Sequence, residues 1–159
     1  MEAPNRLALQ LDAEISCVIT AMRQNAKWAV VPGKYNEEDQ MEPEPHYEDF
    51  RSLRRKIFDW EDWSAVQPLE FLAPFLKLVR EPEVSGPITG VALTALWRLL
   101  SSGVLGVHCK GAAVAVNAIV DNTTQCKFEA TSPASDEVVL FNILQVTSRC
   151  TCRSCVMRC

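Results

Sequence analysis

The chain has 159 residues, 48% of them apolar and 23% charged, with a formal net charge of −4. A chain of this size fits one domain that buries roughly 70% of its unfolded surface, and its composition excludes a disordered or fibrous protein. The acidic balance gives no electrostatic footprint for nucleic acid and no sign of an acidic partner, so neither is expected.

The opening segment carries Glu2, Asp12 and Glu14 among its apolar residues and has no small-residue cleavage site, unlike a secretory signal. Residues 7–24 then place Leu11, Ile15, Val18, Ile19 and Met22 at three- and four-residue steps, which predicts an amphipathic helix. After Pro32-Gly33 the segment 35–49 holds Glu37, Glu38, Asp39, Glu42, Glu44, Glu48 and Asp49 and reads as a solvated acidic loop over about 32–48. Phe50, Leu53, Ile57 and Trp60 share one face of a second helix over 47–60. Pro74 is placed near the start of a third, over 73–81, with Phe75, Leu76, Leu78 and Val79 inward and Pro82 ending it.

The segment 86–100, GPITGVALTALWRLL, is the one the others are expected to surround. Pro87 suits a first turn. Ile88, Val91, Ala92, Ala95, Leu96, Leu99 and Leu100 recur at the helical period, and Thr89, Thr94 and Arg98 leave only a thin polar side. Gly90, Ala92 and Ala95 allow another helix to approach closely. A helix so apolar around its circumference is covered on several faces. A further helix is expected over 112–126, with Val114, Ala115, Ala118 and Ile119 inward. In a last one Ser135 is the N-cap, Asp136 and Glu137 lie in the first turn, and Val138, Val139, Phe141, Ile143, Leu144 and Val146 supply apolar mass. No hairpin signal interrupts this series. The fold class is therefore all-α: stacked short helices resembling an armadillo- or HEAT-like layer, incomplete at the C-terminus.

Catalytic chemistry finds little support. His108-Cys109 is the only adjacent imidazole–thiol pair, but sequence neighbours on a helix do not face each other and no third orienting group is visible. The Gly106 to Gly111 spacing of a phosphate loop is followed by Ala112-Ala113 instead of Lys and Ser/Thr, so nothing would reach phosphates or Mg²⁺. Asp136 and Glu137 are explained by capping. Asn122-Thr123-Thr124 matches a glycosylation acceptor but reads as an ordinary turn or helix end. Trp28, Trp60, Trp63 and Trp97 read as helix-contact surface. The apolar run 104–120 is interrupted by His108, Lys110 and Asn117 and falls short of a membrane span.

The seven cysteines divide into two groups. Cys17, Cys109 and Cys126 sit in apolar contexts as small hydrophobes. Cys150, Cys152, Cys155 and Cys159 crowd the last ten residues, and four thiolates can hold zinc. Structural zinc sites set their ligand pairs further apart, so that a loop is stapled. The tail 147–159 is therefore read as a separate Cys-rich ending, with zinc or copper binding as the alternative function.

Several motifs occur together in one order. They are Glu14-Ile15, then Asn25-Ala26-Lys27-Trp28, then FLAPFL at 71–76, then GPITGVAL at 86–93. PASDEVVL at 133–140 and Ile143-Leu144-Gln145-Val146 complete the series. In these the chain resembles the N-terminal dimerisation and cyclophilin-binding (DCB) region of the large Arf guanine nucleotide exchange factors, of the Golgi brefeldin A-resistance type. The resemblance covers about 11–146 and stops there. It implies a non-catalytic dimerisation and regulatory module, with Trp28, Val91, Leu96, Trp97, Val138 and Val139 as core and interaction residues. The implied partners are a second copy, the adjacent helical domain of the parent protein and a cyclophilin. Arf itself would be met only through an exchange domain that this chain lacks. The implied location is cytoplasmic, peripheral at the Golgi, in vesicle transport. No catalytic residue and no cofactor carries over.

Overall fold

Amphipathic helices with no hydrophobic strand pattern leave one way to bury their faces, helix against helix. A computed structural model describes residues 6–24, 45–105 and 109–157. Six helices are seen there: α1 Arg6–Gln24, α2 Pro45–Asp59, α3 Pro68–Arg80, α4 Gly86–Ser101, α5 Ala112–Thr124 and α6 Pro133–Met157. Among the described residues the only β pairing is an isolated parallel bridge between Ser85 and Glu129.

The helices form two rows. One row runs α1, α4, α6 and the other α2, α3, α5, with α1 on α2, α4 on α3 and α6 on α5 across the layer. This is a stack of helix pairs, and α4 sits in the middle of its row as expected. Leu93, Leu96, Leu99 and Leu100 of α4 are fully buried, together with Leu11, Ile15 and Val18 of α1 and Phe75 of α3. Phe50 of α2 meets Phe75 edge-on, with ring centroids 4.9 Å apart. Trp63 packs on Trp60 at 5.1 Å and on Phe71 at 6.5 Å, closing the connection between α2 and α3.

Several boundaries differ from the sequence expectation. α2 begins at Pro45, so residues 45–48 of the expected acidic loop are helical, with Glu48 in the first turn where the dipole favours it. The remaining loop residues and Trp28 lie outside the described residues. α3 begins at Pro68, five residues early, and carries Pro74 inside it. The start is set by Pro68 at the first position and by Glu70, whose Oε1 accepts from the Gln67 N–H at 3.4 Å. α6 begins at Pro133 rather than after Ser135, because Ser132 caps it: its Oγ accepts from the Ser135 N–H at 3.4 Å and its carbonyl from the Asp136 N–H at 2.9 Å. Asp136 Oδ1 in turn accepts from the Thr131 N–H at 3.2 Å. On α5, Val116 is buried where Val114 was expected; Val114 is exposed. Thr89, placed on the polar side of α4, is fully buried.

The greatest difference is at the end of the chain. α6 does not stop at Val146 but continues to Met157, and Cys150 is fully buried. Val139, Val146 and Cys150 lie at i, i+7 and i+11, with partly buried Ile143 at i+4, so the first turns of the Cys-rich ending extend the same core-facing stripe.

Candidate interaction surfaces

The register of α6 on α4 is fixed by small residues and one amide. A Cβ on Gly86 would stand 3.2 Å from Asp136 Oδ1 and 3.4 Å from the Phe128 ring, so this position is tight. Backbone bonds hold the same corner: the Gly86 N–H donates to the Glu129 carbonyl at 3.1 Å, and the Glu129 N–H to that of Val84 at 2.8 Å. One turn on, Asn142 Nδ2 donates to the Gly90 carbonyl at 3.1 Å and lies 3.2 Å from Thr94 Oγ1.

With one side of α6 committed to α4 and α5, its other side is left to solvent. Val138, Leu140, Phe141 and Leu144 are 55–67% exposed. Val138, Phe141 and Leu144 follow at three-residue steps and Leu140 lies four before Leu144, so they border one another along the outward side of the helix. Apolar surface of this kind makes the outward side of α6 a candidate interaction site. The opposite end of the stack is different. Between α1 and α2 lies an open groove of about 520 Å³, whose lining includes Arg23, Arg51, Arg54 and Arg55. The net charge of −4 conceals this local cluster of cations.

One charge pair is partly buried. Glu14 on α1 is buried and accepts from Arg98 Nη1 on α4 at 3.3 Å. Burial raises the Glu14 carboxyl above its ordinary range, against the opposing pull of the Arg98 charge and hydrogen bond. The guanidinium of Arg98 stays half exposed, so the carboxylate bears most of the desolvation.

The residues singled out from the sequence are dispersed. Leu96 and Val139 are in the core. Val91 is partly buried and lines a groove of about 430 Å³ between α1 and α4. Trp97 and Val138, expected as core or interaction residues, are at the surface, 37% and 56% exposed. Trp28 lies outside the described residues. Cys150 and Cys152 are two positions apart on one helix, Cys150 buried and Cys152 exposed, so they do not converge on one ion. The Cys155 side chain and Cys159 lie outside the described residues, and among the described ones no group of metal-binding side chains is assembled. His108 is likewise outside them. Burial raises the Cys109 thiol above its ordinary value and the Cys126 thiol to about 11, the reverse of what a nucleophile needs. No helix among the described residues is long and apolar enough to cross a membrane.

No protein-family model matches the chain. It is 36% identical over 145 residues to the ARF guanine-nucleotide exchange factor GNOM of Arabidopsis thaliana, covering 91% of this chain and 10% of GNOM. It is 35% identical over 104 residues to the Golgi-specific brefeldin A-resistance guanine nucleotide exchange factor 1 homolog of Caenorhabditis elegans, covering 65% of this chain and 5% of that protein. The ARF guanine-nucleotide exchange factor 1 of Saccharomyces cerevisiae is 34% identical over 92 residues, covering 58% of this chain and 6% of its own length. The chain thus spans a tenth or less of the length of these relatives. It is homologous to an N-terminal segment of the large Golgi Arf guanine-nucleotide exchange factors.

Proposed function

We propose that this chain is a non-catalytic helical module that dimerises or docks on a neighbouring helical domain, in the manner of the DCB region it resembles. The single observation that supports this most is the outward face of α6, where Val138, Leu140, Phe141 and Leu144 are more than half exposed. In helical stacks the terminal elements present polar outer faces, and an apolar one continues into a further element. At the α1/α2 end arginines accompany the exposed Leu9 and Phe58, whereas four large apolar side chains occupy the outward side of α6. Burial raises the Cys109 and Cys126 thiols, which argues against either as a nucleophile and supports a binding role. In this reading the parent exchange factor acts on Arf through a separate domain. The module regulates it by self-association or by packing on adjacent helices, at most peripherally at Golgi membranes, and a cyclophilin is a further partner. Sedimentation velocity of the chain over a range of concentrations tests the proposal. The wild type is expected to shift toward dimer as concentration rises, and F141E/L144E to remain monomeric with unchanged helix content. A wild type that stays monomeric throughout, and gains no partner from the helical segment following it in a full-length relative, contradicts it.

A further inference from the structure

We infer that the groove between α1 and α2 is a docking site for an extended acidic peptide segment of a partner protein. Contacts of Arg23 with Tyr47 and of Arg54 with Asp12 show that the two helices run antiparallel, so the groove follows their length. Tyr47, Arg51, Arg54, Arg55 and Phe58 fall at i, i+4, i+7, i+8 and i+11 of α2, one helix face, opposite Arg23 of α1. Glu48 accepts from both Arg51 at 3.2 Å and Arg55 at 2.8 Å, and Asp12 accepts from Arg54 at 2.6 Å. Among the described residues Arg23 meets no carboxylate; its Nε and Nη2 donate to the Tyr47 hydroxyl at 3.1 and 2.7 Å. Among the described residues four guanidinium groups therefore face two carboxylates, a surplus of two positive charges.

These cations are strung out rather than gathered at one point. Three anchor positions, at Tyr47, Glu48 and Asp12, are occupied along the pair. Tyr47 to Phe58 spans about 16 Å of helix, which an extended segment of about five residues matches. A single phosphate would engage only one of the three positions, and a groove between helices offers no plane to a bilayer. Each planar guanidinium can take a carboxylate in a fork. Ile19 lines the groove and Phe58 is 52% exposed on it, giving an apolar side chain of the ligand somewhere to rest.

Fluorescence anisotropy of the full chain with a fluorescein-labelled hexapeptide of five glutamates and one phenylalanine tests this, at about 50 mM salt, where such attraction is weakly screened. The wild type is expected to bind, and R51Q/R55Q and R23Q each to lose about tenfold or more in affinity. K56Q removes a charge from the same helix, but Lys56 lines a different groove beside Asp49 and Lys77, so it is expected to leave binding intact. Arg51, Arg54 and Arg55 are half exposed or more and Arg23 is exposed, so melting temperatures should hold and separate lost binding from lost folding. Three results overturn the proposal. They are no binding at about 0.1 mM peptide, an equal loss from K56Q and R51Q/R55Q, and arginine-dependent binding seen only with phosphatidylserine vesicles.

Discussion

The Asn142 side-chain amide donates to the Gly90 main-chain carbonyl at 3.1 Å, tying α6 to α4 across 52 residues of sequence. That carbonyl also accepts from the Thr94 hydroxyl at 2.9 Å, so one acceptor serves both helices. N142A should cost about 1 kcal/mol of stability, the net worth of a part-buried hydrogen bond. Gly90 itself has room for a methyl group: its Cβ would stand 3.6 Å from Val139 and 3.8 Å from Asn142. G90A should therefore be neutral or stabilising by up to about 1 kcal/mol. G111A should be the opposite, because Gly111 has φ +79° and its Cβ would meet Gln67 Oε1 at 2.8 Å. Urea denaturation of the three variants checks the order.

Thr89 offers a stabilising substitution. Its hydroxyl is fully buried and finds no hydrogen-bond partner among the described residues. T89V keeps the shape and removes the unsatisfied group, so unfolding free energy should rise by about 1 kcal/mol. Differential scanning calorimetry would show a higher melting temperature.

Glu14 makes a prediction about pH. Burial first, opposed by Arg98, raises its carboxyl pKa in the folded state above the unfolded value of 4.5. Between those two values the native state holds more protons than the unfolded one, so this group's contribution to stability falls as pH rises through that window. It is most favourable when the carboxyl is protonated and least favourable above the folded pKa. E14Q should remove that slope and be at least as stable as wild type at neutral pH. R98A should lose stability there, because it strips a buried carboxylate of its partner. Denaturation curves at a series of pH values from about 4 to 7 measure both effects.

Cys150 and Cys152 should behave differently although two residues apart. C150S puts a hydroxyl into the core, a cost of about 1–3 kcal/mol, and C152S changes an exposed position with little effect. Thermal melts under reducing conditions compare them. Truncation after Val146 should resemble C150S or be worse, since it removes the last buried turn.

Periodicity in the sequence made α1 and α4 legible because each has a complete apolar stripe bounded by a break. The inward residues Leu11, Ile15, Val18 and Met22 are all buried. Pro74 misled because a proline is usual near a helix start; the stronger signal was Pro68 with Glu70 just after Gln67. Val114 and Val116 cannot be told apart by type, since both are valines near a helix start, and only the position of α3 and α6 decides which is covered. α6 was hardest. It is apolar on both sides, so the pattern gave helix but no direction, and the cysteines drew attention to metal chemistry instead of to the core stripe ending in Cys150. The arginine groove was hidden for another reason: its cations come from two helices and are diluted by acidic residues elsewhere in the chain.

The most direct test is the melting temperature of the wild-type chain as a function of its concentration, beside F141E/L144E. If the outward face of α6 is an association surface, wild-type melting should rise with concentration as mass action favours the folded assembly, and that of the variant should stay constant. Equal, concentration-independent melting of both proteins, with no rise in wild-type melting on adding the helical segment that follows in a full-length relative, would contradict the account and leave that face as ordinary surface.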